Sequence, residues 1–203
     1  MAMQDAQMRV QAYLSLSQLL QRPNEELLEH INNPEFDKLW QRVAGAYGIK
    51  IPKSWQAVNI PDLVEWGRAW DVTMGPVAPL AEPIESLYKI WTTDESCGIS
   101  IAKEKGYLKG DWACHMEELL IKSGFQIPMQ FNHCPDHLVL ELEYFSLLIE
   151  DASRQAQANF AKYHLDWLEE LLKTAKDRDV PKIYQDLYRL CADFVKADTK
   201  MLI

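Results

Sequence analysis

Several common devices of protein chemistry are missing from this chain. No Gly-x-x-x-x-Gly-Lys or Gly-x-Gly-x-x-Gly run occurs, so the loops that cradle nucleotide phosphates are absent, and no serine sits in a Gly-x-Ser-x-Gly elbow. The four cysteines, Cys97, Cys114, Cys134 and Cys191, are scattered without a Cys-x-x-Cys pair, which suits reduced thiols in the cytoplasm rather than a disulfide framework. His133, Cys134 and His137, with His115 beside Cys114, are potential metal ligands, but their spacing matches no common zinc signature. The Glu-x-x-His pairs of di-iron bundles are lacking too, since Leu27 stands three before His30 and Ala161 three before His164. Met1 to Arg9 is polar and the apolar positions after it are broken by Gln and Ser, so neither a secretory signal nor stable membrane insertion is expected. The net charge of −9 speaks against nucleic acid, whose binding normally uses a basic face, and favours encounter with a cationic partner.

What is present is helical periodicity. A chain of 203 residues with 48% hydrophobic and 25% charged residues suits one globular domain, and we expect residues 1–203 to form it. Apolar spacing predicts a helix from Arg9 to Gln21, closed by Pro23, and a short one capped by Asn24 that runs through His30. Asn33-Pro34 starts a third, weakened at its end by Gly45 and Gly48; Ile49 to Val58 reads as an extended connection; Pro61 opens a helix carrying Trp66 and Trp70. Gly75 to Gly110 is a long irregular segment, of a length that is usually functional. Helices follow from Asp111 to Ser123-Gly124, from Pro135 to Asp151, around Phe160 to Leu172, and after Pro181. No run has strand character, so the fold class is all-α, a helical bundle with a long central connection.

Two segments stand out chemically. In Cys134-Pro135-Asp136-His137-Leu138, a proline at the first helical position would place Asp136 in the first turn, where the helix dipole favours a carboxylate. Capping alone accounts for such an aspartate. The alternative is that Asp136 and His137 stand at an exposed point of a groove, where Asp136 pairs with a peptide arginine through parallel charge-assisted hydrogen bonds. Gly75 to Tyr88 can form the other wall, because its prolines stiffen the backbone and remove donors, and Trp66, Trp70, Ile84 and Tyr88 would accept an apolar segment. Each aromatic taken singly reads first as core. Glu141 is unusual for its apolar neighbours, whereas His164 reads as a hydrogen-bonded core histidine.

These residues carry a family resemblance. Cys134 to Phe145 resembles the Glu-Pro-x-Asp-His-Leu-x-x-Glu-Leu-x-Phe helix start of the TorD/DmsD/NarJ-like chaperones of molybdenum enzymes. Thr73-Met74-Gly75-Pro76 followed by Glu82-Pro83-Ile84-Glu85-Ser86-Leu87-Tyr88 is similar to their upstream pattern; His164-Leu165-Asp166-Trp167 and Ile183 to Tyr188 follow in family order. Thr73 replaces a common aromatic, and Cys134 replaces an acid, which reduces the acidity of a groove there. The resemblance implies a non-catalytic cytoplasmic protein that has no cofactor of its own. Its partner would be the precursor catalytic subunit of a molybdenum oxidoreductase, bound through a twin-arginine signal peptide while the molybdopterin cofactor is inserted and export delayed. A non-exported nitrate-reductase-type subunit is an alternative client. A homodimer, a helical metal- or nucleotide-dependent enzyme and a plain structural adaptor remain open on the residues. The implied peptide-binding set is Trp70, Gly75, Pro76, Pro83, Ile84, Ser86, Tyr88, Pro135, Asp136, His137 and Glu141.

Overall fold

A computed structural model describes residues 2–55 and 60–202. Among them the chain forms ten α-helices: α1 (Ala2–Leu20), α2 (Glu25–Asn32), α3 (Pro34–Tyr47), α4 (Leu63–Met74), the single turn α5 (Glu85–Tyr88), α6 (Asp111–Lys122), α7 (Leu138–Asp151), α8 (Arg154–His164), α9 (Leu168–Asp177) and α10 (Lys182–Leu202). Short 3-10 turns lie at Lys53–Trp55 and Met129–Phe131, and no β-strand occurs among the described residues. Of the expected extended connection, residues 56–58 lie outside the described residues.

Local chemistry sets the helix ends. Asn24 accepts from the Leu27 amide and Asn33 from the Glu35 amide, with Pro34 in the first turn of α3. Asp62 caps α4 by accepting from the amides of Val64 and Glu65. Gly75 ends α4, and a Cβ built there would run into the Asp71 carbonyl, so only glycine lets the chain turn this tightly.

The long Gly75 to Gly110 segment is irregular, as expected, but it is tied down. The Asp111 carboxylate accepts from Thr92 Oγ1 and from the Thr93 amide at 2.8 Å each, while the Trp91 and Thr92 amides donate to the Glu104 and Ala102 carbonyls. Gly110 passes so close to the Trp91 carbonyl that a side chain would not fit.

At the centre is α7, buried on most sides, with α1 laid along it and α8 and α10 completing the core. Tyr13 of α1 meets Phe145 of α7 edge-on at 4.6 Å between centroids and Phe194 of α10 at 4.9 Å. A buried ion pair locks this arrangement. Arg9 of α1 grips Asp198 of α10 with two bonds of 2.7 and 2.9 Å, and Tyr13 and Tyr47 donate to the same carboxylate at 2.9 and 3.1 Å. Asp198 thereby joins α1, α3 and α10. Asp198→Ala would strand the Arg9 charge in the interior and is expected to cost about 3–5 kcal/mol of stability in urea unfolding.

Candidate functional site

The site begins with a crossing of two proline-bearing segments. Residues 83–86 and 135–138 meet as an antiparallel bridge between Ile84 and His137. The Glu85 amide donates to the Asp136 carbonyl at 3.0 Å, and the Leu138 amide donates to the Pro83 carbonyl at 2.8 Å. Pro83 and Pro135 are buried here, and having no N–H they leave no unsatisfied donor. The two segments expected to share a site are therefore neighbours.

The helix start differs from the expected one. Cys134 to His137 is a turn closed by the His137 amide on the Cys134 carbonyl at 3.0 Å, with Pro135 at its second position, and α7 starts only at Leu138. Proline's fixed φ suits both a helix start and that turn position, so local sequence cannot separate them. His137 is the N-cap: its Nδ1 accepts from the Val139 amide at 3.2 Å. Acceptance requires a neutral ring, and burial holds the His137 pKa down at about 3.

Asp136 is not at an exposed point. It is 0% exposed, and its Oδ2 accepts from the Ser86 amide at 2.8 Å and from the Ser86 hydroxyl. Burial raises its pKa against the lowering effect of those bonds. This corrects the expectation of a direct arginine contact, because the carboxylate has no surface to offer and its work is to clamp Ser86.

Behind it lies a sealed polar network. Glu141, on α7, shares a carboxyl–carboxyl hydrogen bond with Glu85, and burial first and the Glu85 charge second raise its pKa well above the ordinary value. Glu141 Oε1 meets no donor among the described residues. Lys89 Nζ approaches Glu85 at 2.8 Å, His164 Nδ1 lies 2.8 Å from Glu85 Oε2, and His115 Nδ1 lies 2.7 Å from His164 Nε2. His164 is thus the hydrogen-bonded core histidine expected from sequence. Ligand atoms of Glu85, Glu141 and His164 all fall within 4.8 Å of one another, the one grouping of this kind among the described residues that could hold a metal ion. The shared proton and the Lys89 ammonium already balance the two carboxyls, so we read it as a structural network. His133, Cys134 and His137 do not form such a cluster.

The open part of the site is a groove of about 440 Å³ beside the crossing. Of the expected residues, Trp70, Pro76, Ile84 and His137 line it. Trp70 Nε1 donates to the Leu20 carbonyl at 3.0 Å, which fixes the indole plane. Gly75 supplies only the turn at the end of α4, and Pro83, Ser86, Pro135, Asp136 and Glu141 are sealed beneath. Tyr88 is drawn into the core, its ring stacked on Trp167 at 5.2 Å and its hydroxyl on the Glu82 carbonyl.

The groove is also lined by residues outside the expected binding set: Met74, Phe131, Val139, Arg22 and Glu82. Glu82 is half-buried, forms no salt bridge among the described residues, and has its pKa raised by burial. Arg22 pairs with Asp71 at 3.0 Å and lies over the Trp70 ring at 5.9 Å, with Arg22 64% and Asp71 46% exposed. Cys134 lines the groove as a neutral thiol, its pKa pushed up to about 12 by burial. Glu82 was signalled by its place before Pro83. Arg22 sits outside every motif.

The shared proton has a pH signature. A carboxyl whose folded pKa is raised stabilises the fold fully below its unfolded pKa of about 4.5, and that contribution is lost as pH rises toward the folded pKa. Glu141→Gln keeps a donor toward Glu85 without the titration. Its urea midpoint is expected to fall less than wild type from about pH 5 to pH 8, whereas parallel pH profiles would remove the shared proton from the account.

The family model described as "Nitrate reductase delta subunit" matches residues 65–178, which include most of α4, the crossing and α7. "Chaperone protein TorD" of Vibrio cholerae serotype O1 (strain El Tor Inaba N16961) is 29% identical over 115 residues, 51% of this chain and 52% of that protein. "Chaperone protein TorD" of Shewanella loihica is 31% identical over 123 residues, 60% of this chain and 54% of that one. The chain thus spans about half the length of the curated relatives it matches. A crystal structure from Archaeoglobus fulgidus, described as a candidate redox enzyme maturation protein, superposes with a TM-score of 0.57 at 20% identity, covering 93% of this chain and 94% of that one, and so shares the fold. On a match to more than half its length, the chain belongs to the nitrate reductase delta subunit family, the group of TorD-like proteins that its Pro-Asp-His-Leu element resembles.

Proposed function

We propose that this protein is a cytoplasmic, non-catalytic chaperone, folded as one domain, for the precursor catalytic subunit of a molybdenum oxidoreductase. It would hold a cationic, apolar segment such as a twin-arginine signal peptide in the groove beside the crossing. The observation that carries this reading is the composition of that groove, an apolar lining of Trp70, Met74, Ile84, Phe131 and Val139 with the half-buried carboxyl of Glu82 among them. The chaperone relatives named above support the general role. A non-exported nitrate-reductase-type client is a second reading, supported by the description of the family model.

The chemistry of capture follows from what is open. Apolar side chains of the peptide enter the lined part, and a guanidinium reaches Glu82. Arg22 already models such a ligand, since it lies over Trp70 and pairs with Asp71. That pair is exposed, so exchanging it for a peptide arginine costs at most about 1 kcal/mol. Asp136 contributes from beneath, by holding the 83–86 segment in register through Ser86.

The test is anisotropy of a labelled peptide carrying two arginines and an apolar stretch, with the full-length chain. Trp70→Ala is expected to weaken binding at least tenfold, at ~1.4 kcal/mol per decade, and Glu82→Gln ~3–10-fold, the range for one charge-assisted pair. Because a bound guanidinium lowers the raised Glu82 pKa, binding releases a proton and wild-type affinity should rise from about pH 5 to pH 7. Glu82→Gln should abolish that rise. Affinity indifferent to both substitutions would take the groove out of the reading. A peptide without arginines that binds equally well would favour the non-exported client.

A further inference from the structure

A second cleft, of about 1020 Å³, lies between the chain from Tyr47 to Lys53 and one face of α10, and it shares no lining residue with the groove. Its charge is opposite in sign to that of the whole chain. Six cations line it, Lys50, Lys53, Lys182, Arg189, Lys196 and Lys200, against two carboxylates, Asp186 and Asp193. That local net of +4 leaves −13 on the remainder of a chain totalling −9.

Helical spacing makes the α10 cations a stripe. Lys182, Arg189, Lys196 and Lys200 recur at seven, seven and four residues on one face. Some of this charge is used internally: Lys182 pairs with Asp186, and Lys196 reaches Glu169 at 3.3 Å. Lys50, Arg189 and Lys200 form no salt bridge among the described residues. Between the cations the cleft has an apolar strip that includes Ile49, Pro52, Ala197 and Met201, the last 64% exposed.

We propose that this cleft docks an acidic peptide segment of a partner protein, one with apolar side chains set between its carboxylates. Length selects a peptide over a small anion. From Lys182 to Lys200 the stripe extends about 27 Å along the helix, at about 1.5 Å per residue, the reach of roughly eight extended residues. The cations steer the segment in from a molecule that otherwise repels acid, and Met201 and Ile49 hold its apolar side chains. Nothing in this inference rests on what the groove binds.

The experiment uses the full-length chain and a labelled peptide of alternating glutamate and leucine, with lysine–leucine and glutamate–serine peptides as controls. Saturable binding of the first peptide alone is expected. It should weaken at high salt, ~tenfold or more in the triple variant Lys50→Glu, Arg189→Glu, Lys200→Glu, where three attractions become repulsions, and ~threefold in Met201→Asp. The milder Lys50→Gln with Lys200→Gln serves if the triple variant loses its circular dichroism. Equal binding of the lysine–leucine peptide, or affinity unchanged in folded variants, overturns the proposal. So does light scattering that shows a second copy of the chain held through these same residues.

Discussion

The crossing of residues 83–86 with residues 135–138 is the constraint on which the functional half of this molecule depends. Two short segments, far apart in sequence, exchange backbone hydrogen bonds in an otherwise helical protein. Prolines suit such a place because each removes a donor that burial would leave unsatisfied. Once the segments cross, Asp136 and Ser86 face each other and Glu85 falls beside Glu141. Two buried acids in contact cannot both ionise, so one keeps its proton, while Lys89 pairs with Glu85 and the His164 ring hydrogen-bonds to it. The resemblance motif thus serves first as internal architecture. It builds the floor of the groove, while the groove surface comes from its neighbours.

That division changes how the Pro-Asp-His element works. Asp136 is unavailable to solvent, and His137 spends its Nδ1 on the first turn of α7. Both act by position, holding Ile84 and Val139 against the groove. Negative charge near the groove comes instead from Glu82, half-buried in its lining, and from Asp71, which Arg22 occupies. A weak internal pair at the rim keeps the carboxylate and the indole face ordered without committing them.

Charge is also segregated over the molecule. The acid total hides a basic stripe along α10 that neighbours an apolar strip, whereas the groove has acid beside an apolar lining. The α10 cleft has an excess of cations, whereas the groove sets Glu82 and Arg22 beside apolar side chains, and a helical bundle can present both because its helix faces are independent of one another.

Much of the fold was legible in the sequence. The caps at Asn24 and Asn33, the start near Pro61, the end of α6 at Ser123-Gly124 and the all-α class all follow from periodicity and local hydrogen bonding, which act within a turn. Pro76 and Ile84 of the groove wall were legible as well, because they fall in a proline-rich segment that helical periodicity does not claim, and Trp70 stands on the last turns of the helix that leads into it. What the sequence could not decide is which side of that segment faces solvent. The burial of Asp136, Ser86 and Glu141, the withdrawal of Tyr88 onto Trp167, and the entry of Arg22 and Glu82 into the groove depend on a backbone crossing between residues about fifty positions apart. Local propensity acts over a few residues. Exposure is set by what packs on top, and only the tertiary structure decides that.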